Sequence, residues 1–235
     1  MSYCTVYKDI GLRDYKETWD FQADTFNKLV GRKKQGIQDL VAGTGADHGT
    51  LIFVEHPHVY TLGKSGSEEN LLIDIARLKA KDASFYRIDR GGDITYHGPG
   101  QIVGYPVFDL ERIGISLREY IYRLEEAIIR TVSAFGIISS RLPGGTGVWI
   151  DPEMPGKARK ICAIGVKASR YVTMHGFAFN VNTDLAYFEN INPCGFTDKG
   201  VTSLEKELRE RQDFEAVKLI VKNNLRDVFD LEWIN

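Results

Sequence analysis

Four glycines and a proline fall within the twelve residues Arg90-Gly-Gly-Asp-Ile-Thr-Tyr-His-Gly-Pro-Gly-Gln101, and the chain then runs straight into Ile102-Val-Gly-Tyr-Pro-Val-Phe-Asp109. Glycine and proline at this density break helices, so the segment reads as tight turns delivering a strand. Glycine also admits positive φ and lets backbone N–H groups approach a ligand closely. With a fixed cation at Arg90 and an imidazole at His97, the same turns can serve as a substrate cradle.

The rest of the chain alternates strands and helices irregularly. Tyr15, Trp19, Gln22, Phe26 and Leu29 have helical spacing within 12–33, and Gly31 and Gly36 bracket a basic Arg32-Lys-Lys34 at its end. Residues 37–49 lack pattern and read as loop. Leu51–Glu55 reads as a buried strand, Asp74–Lys81 as a short helix and Phe85–Ile88 as a strand. Ser116-Leu-Arg-Glu119 is a capping box. It opens a helix carrying Leu117, Ile121, Leu124, Ile128, Val132 and Phe135 on its core face, and Gly136 stops it. Gly147–Ile150, Lys160–Lys167 and Tyr171–Asn180 read as strands. Thr202-Ser-Leu-Glu205 is a second capping box, and Phe214, Val217, Ile220, Val221, Leu225 and Val228 mark a final amphipathic helix. The pattern predicts an α+β fold, a mixed β-sheet with helices mainly on one face, in a single domain over 1–235.

Hydrophobic residues make up 43% of the 235, enough for a core, and the net charge of −2 argues against a nucleic-acid binder. No apolar run is long enough to span a membrane, and the N-terminus lacks a secretory pattern, so the expectation is a cytoplasmic protein with no membrane partner. The three cysteines are odd in number and widely spaced, which disfavours both a disulfide framework and a cysteine metal site. Cys162, inside Ile161-Cys-Ala-Ile164, reads as a small core residue. Cys194 sits between Pro193 and Gly195, in a turn, and is the candidate for chemistry. His56, His97 and His175 lack the spacing of a metal motif, so no metal is expected, and His97 and His175 are read as hydrogen-bonding groups of the site.

Glu55-His-Pro, Tyr60-Thr-Leu-Gly63, Arg90 to Gln101, Gly147-Val-Trp149, Lys160 to Gly165, Thr173-Met-His-Gly-Phe-Ala178, Asn180-Val-Asn182 and Pro193-Cys-Gly195 occur in series across roughly residues 50 to 205. In this order they resemble the lipoyl(octanoyl) transferases. The resemblance implies a biotin/lipoate protein ligase-like fold, Cys194 as nucleophile and Lys160 as its lysine partner, with no cofactor. It implies a substrate site formed by Arg90, Gly91, Gly92, Asp93, Ile94, Thr95, Tyr96 and His97, by Ala163, Ile164 and Gly165, and by Gly176, Phe177 and Ala178. The implied donor is octanoyl-acyl carrier protein. The implied acceptors are lipoyl domains of the E2 subunits of 2-oxoacid dehydrogenases and the glycine cleavage H protein.

The chemistry is consistent with this. A free thiol near pKa 8.5 is only about 3% thiolate at pH 7, and a lysine that lowered it to ~7 would raise that fraction roughly 16-fold. Small residues at Ala163, Gly165, Gly176 and Ala178 leave room for an eight-carbon chain. The rival reading is an ATP-dependent lipoate or biotin protein ligase, which shares the fold but needs no cysteine. Two departures stand out. Asp151–Arg159 is longer than a tight turn and reads as an ordered lip or a mobile flap near Lys160, and Lys167 stands where the resemblance leads one to expect arginine. The basic residues Arg32, Lys33, Lys34, Lys157 and Arg159 are candidate docking contacts for acidic protein substrates.

Overall fold

The computed structural model describes residues 2–36, 48–192 and 199–234. The elements in chain order are β1 (Tyr3–Leu12), α1 (Tyr15–Lys34), β2 (Gly49–Glu55), β3 (Val59–Leu62), α2 (Ile75–Ala80), β4 (Ser84–Arg87), β5 (Ile94–His97) and β6 (Gln101–Val107). There follow α3 (Leu110–Ile113), α4 (Leu117–Ser133), β7 (Ser140–Leu142), β8 (Gly145–Ile150), β9 (Arg159–Ser169), β10 (Val172–Asn180), β11 (Gly200–Val201), α5 (Leu204–Leu208), α6 (Phe214–Phe229) and β12 (Leu231–Ile234). Most of the loop expected at 37–49 lies outside the described residues, and Gly49 already belongs to β2.

Among the described residues, nine strands form one mixed sheet in the order β12-β1-β2-β6-β10-β9-β8-β7, with β11 added beside β9. β1 runs parallel to both β12 and β2, while β2, β6, β10, β9 and β8 pair antiparallel in turn. A second, three-stranded sheet has the order β4-β3-β5. It grows out of the glycine-rich motif itself, since β5 is Ile94-Thr-Tyr-His97. The turns expected there therefore flank a strand.

Alternation along the strands divides the large sheet into two faces. Leu51, Phe53, Ile102, Phe108, Phe177 and Phe179 turn to α4 and α6, where they bury Tyr120, Leu124, Ile128, Val132, Val221, Leu225 and Phe229. The helical spacing that singled out α4 and α6 is this burial. Val107, Val172 and Met174 turn the other way and pack under Phe26, Leu29 and Val30 of α1. The mixed sheet with packed helices is as expected, with α1 set across the face opposite α4 and α6.

The caps hold these helices in place. Ser116 accepts from the Glu119 N–H at 3.1 Å, as its motif predicts. The second box is displaced by one residue: Ser203, not Thr202, caps α5, accepting from the Lys206 N–H at 3.2 Å. Thr202 donates its hydroxyl to Glu207 Oε1 instead, at 2.5 Å.

Candidate active site

Between the large sheet and the three-stranded sheet lies a cavity of about 420 Å³, a size ordinary for small-molecule sites. Its floor is set by register. Ala178 pairs with Ala163, and Gly176 with Gly165, so two successive rungs of β9 and β10 carry almost no side chain. On β6, Val103 lies opposite Ala178. A side chain at Gly176 would strike the Gly104 carbonyl, so glycine there is also required by the approach of β6. The roof is the glycine-rich motif, which contributes Arg90, Gly92, Asp93, Ile94, Thr95 and His97.

Of the residues expected at the site, Lys160, Ala163, Ile164, Gly165, Gly176, Phe177 and Ala178 all line this cavity with those six. Two do not. The Gly91 N–H is spent on the Val166 carbonyl at 2.9 Å. Tyr96 points away from the cavity, where its ring stacks on Tyr187 with centroids 5.0 Å apart and its hydroxyl meets His58 Nδ1 at 2.7 Å. Its ring belongs instead to the cluster formed with Tyr60, Leu62 and Ile191. Pro193, Cys194 and Gly195 lie outside the described residues. The next described residues, Lys199, Gly200 and Val201, line the same cavity as Lys160.

Lys160 is held from several sides. β11 pairs Val201 with it, and its carbonyl accepts from the Thr202 N–H at 3.0 Å. Its ammonium sits 4.7 Å from the centroid of the Trp149 ring, a cation–π distance. Gly147 clears space beside its stem: φ is +124°, and a Cβ there would collide with the Cys162 carbonyl. The Gly147 N–H donates to the buried Glu125 of α4 at 2.9 Å, and Glu125 also accepts from Arg141. Burial pushes the Glu125 carboxyl up, while Gly147, Arg141 and Lys160 oppose that shift. Cys162 is fully buried, as expected of a core residue, and burial drives its thiol far above the ordinary range.

A polar network runs along the cavity from Arg90 back to the Lys160 rung, where the Asn180 amide donates to the Thr202 carbonyl at 3.0 Å. Arg90 is buried and donates to the Thr61 carbonyl at 2.8 Å and the Thr61 hydroxyl at 3.1 Å. His97 donates from Nδ1 to Gln101 Oε1 at 2.8 Å, and Gln101 donates to Asn180 Oδ1 at 2.8 Å. His56 donates to the Arg13 carbonyl and accepts from Tyr105 at 2.9 Å. Burial lowers His56 to about 4 and His97 to about 3, so both are neutral. His175, at φ +62°, donates to Asp89, which also takes the Lys167 ammonium at 2.5 Å. His175 and Lys167 together hold the Asp89 carboxyl well below the usual range. Lysine at 167, where the resemblance leads one to expect arginine, is thus paired with Asp89.

Tyr15, Gln101, Tyr105, Asn180 and Phe188 also line the cavity but were not singled out as site residues. For Gln101 and Asn180 a signal existed, namely amides at the ends of otherwise apolar strands. The two ends of the lip at 151–159 are tied down: Arg159 grips Glu207 through two bonds of 2.6 Å and Asp151 through a third of 2.6 Å. Lys33 likewise pairs with Asp109 and Glu111. Both cations are engaged within the chain.

The family model of the lipoyl protein ligase A/B catalytic domain matches residues 14–226, and the chain belongs to that family. Within it the kinship is with acyltransferases: the chain is 53% identical over 231 residues to the octanoyltransferase of Cytophaga hutchinsonii, covering 98% of this chain and 94% of that one. The fold is also that of the bipartite lipoate protein ligase of Thermoplasma acidophilum, with a TM-score of 0.67 at 14% identity over 100% of this chain and 86% of that one. The biotin protein ligase of Aquifex aeolicus follows at a TM-score of 0.51 and 10% identity, over 96% and 70%. Among the described residues, no helix is long and apolar enough to cross a membrane.

Proposed function

We propose that this chain moves an octanoyl group from octanoyl-acyl carrier protein to a lysine amine of lipoyl domains, those of 2-oxoacid dehydrogenase E2 subunits and of the glycine cleavage H protein, through a thioester on Cys194. The observation that carries the reading is the placement of Lys160 in a cavity floored by Ala163, Gly165, Gly176 and Ala178. A cation stands at one end of a trough whose floor carries few side chains, which leaves room for a slender apolar group. Burying such a chain contributes ~0.8 kcal/mol per CH₂.

In the first half-reaction the Cys194 thiolate attacks the thioester carbonyl, and the carrier's thiolate leaves and takes up a proton. In the second, the acceptor amine attacks the acyl-enzyme, an amide forms and the Cys194 thiolate departs. The Lys160 ammonium stabilises the Cys194 thiolate and supplies the proton that the carrier's thiolate takes up, and the neutral lysine so formed takes the proton that the attacking amine loses, which restores the ammonium. No ATP is consumed, because a thioester is already activated relative to an amide. That separates the reading from a ligase.

The test is intact-mass analysis after incubation with octanoyl-loaded carrier protein, without ATP. An octanoyl adduct on the peptide holding Cys194 is expected, absent in Cys194→Ala. Lys160→Ala should cost at least ~100-fold in kcat and move the iodoacetamide alkylation profile of Cys194 to higher pH. An adduct that forms only with ATP, or an unchanged profile in Lys160→Ala, would overturn it.

A further inference from the structure

The trough of small residues does not run the length of the sheet. Its floor reads Ala163–Ala178, then Gly165–Gly176, then Lys167–Met174, as successive rungs of the same face. At the second rung Arg90 comes down from the roof. A Cβ on Gly165 would lie 3.0 Å from Arg90 Cδ and 2.9 Å from the Gly91 carbonyl, so the arginine stem is packed directly across that glycine. At the third rung the floor carries Lys167, which is paired to Asp89, and Asp89 in turn holds His175. The small residues therefore end against a fixed cation backed by an ion-paired cluster.

We infer that Arg90 is the end-stop that sets the length of acyl chain the enzyme accepts, with the Asp89–Lys167–His175 cluster as its backing. This rests on the reading of the cavity as an acyl site. From the Lys160 rung to the Gly165 rung is about 15 Å along β9, at roughly 3.3 Å per residue less the bulge near Ile161. An extended eight-carbon acyl group is about 9 Å long, from C–C bonds of about 1.5 Å, which leaves length for the thiol arm that carries it and little more. A longer chain has to push the guanidinium off Thr61 and the Gly91 carbonyl, leaving a buried cation with unmet hydrogen bonds. A shorter one leaves the last rung unfilled. The stop is steep on the long side and shallow on the short side.

The experiment measures single-turnover acylation of the full chain by carrier proteins loaded with six-, eight-, ten-, twelve- and fourteen-carbon acyl groups, read by intact mass. Arg90→Ala should raise the twelve- to eight-carbon rate ratio at least ~10-fold over the unsubstituted chain, within the range one pocket contact discriminates. Ala178→Val narrows the trough one rung earlier and should shift preference the opposite way, toward six carbons. Lys167→Ala loosens the backing at a half-buried position and should move the ratio in the direction of Arg90→Ala, by less. Thermal melts establish which variants are folded. Ratios unchanged in the folded variants would overturn the end-stop while the eight-carbon adduct on the unsubstituted chain upheld the functional reading. No adduct from any carrier would overturn both.

Discussion

On the face of the large sheet turned to α4 and α6, Leu51, Phe53, Ile102, Phe177 and Phe179 meet apolar helix residues, and the interior is held by burial of surface. On the face turned to the small sheet, the same strands present Ala163, Gly165, Gly176 and Ala178, ringed by buried Arg90, His97, Gln101, Asn180 and His175. One face spends its side chains on packing. The other removes them to make space, and fixes what remains by hydrogen bonds. Adjacent residues of β10, Ala178 and Phe179, belong to the two different economies. A substitution two positions apart along a strand therefore tests the same chemistry, and one a single position apart tests the other.

The largest effect is expected on the packed face. Phe179 is fully buried in the main cluster, and Phe179→Ala should cost about 3–5 kcal/mol, the usual toll of an aromatic truncation in a close-packed core. Urea denaturation measures it directly. A loss under about 1 kcal/mol, which only a site that collapses around the gap would show, would break the assignment of that face as the stabilising one.

The polar face should instead govern the response to acid. His56 is fully buried and its folded-state pKa lies at about 4, below the ordinary 6.5. The unfolded chain therefore takes up this proton first as pH falls, so the stability it lends is complete above about pH 6.5 and is lost on the way down to 4. At 1.36 kcal/mol per unit this amounts to about 3 kcal/mol. His97, held at about 3, adds to the same slope over a window that reaches lower. Urea midpoints should fall between pH 7 and pH 4.5, and His56→Gln should flatten that fall. A variant with the full pH dependence would mean that the slope arises elsewhere.

The contrast between the faces also explains what could be read from the sequence. α1, α4 and α6 announce themselves, because packing against a sheet imposes a 3.6-residue period on apolar residues. The central strands β2, β6, β9 and β10 are legible as apolar runs. β1 and β12 carry no such signal, since Tyr3–Leu12 mixes buried and exposed positions at the sheet margin with no clean alternation. β3 and β5 were hidden inside motifs read for their glycines and histidine. The site was legible where family segments mark it and illegible where three-dimensional approach decides. Nothing in Val-Gly-Tyr105 reveals that Tyr105 closes one end of a cavity, nor that Tyr96 turns away from it. Those facts follow from which strand lies across which.

The smallest expected effect concerns the helix that follows the Lys160 strand's partner, β11. Thr202 and Ser203 are both hydroxyl residues suited to an N-cap, and sequence spacing alone favours Thr202 because Glu205 falls three residues on. The backbone decides otherwise. The Thr202 N–H is committed to the Lys160 carbonyl and its hydroxyl to Glu207, so Ser203 is the residue left to accept from the Lys206 N–H. Ser203→Ala should therefore cost about 1 kcal/mol, the typical value of a lost cap. Thr202→Ala should cost about 0.5 kcal/mol, the low end for a net hydrogen bond, since Thr202 is buried but Arg159 still holds its partner Glu207 through two bonds. Urea midpoints of the two variants side by side measure the difference. If Thr202→Ala proved the costlier, the cap would lie one residue earlier, and β11 would be paired to Lys160 by less than the two backbone contacts now assigned to it.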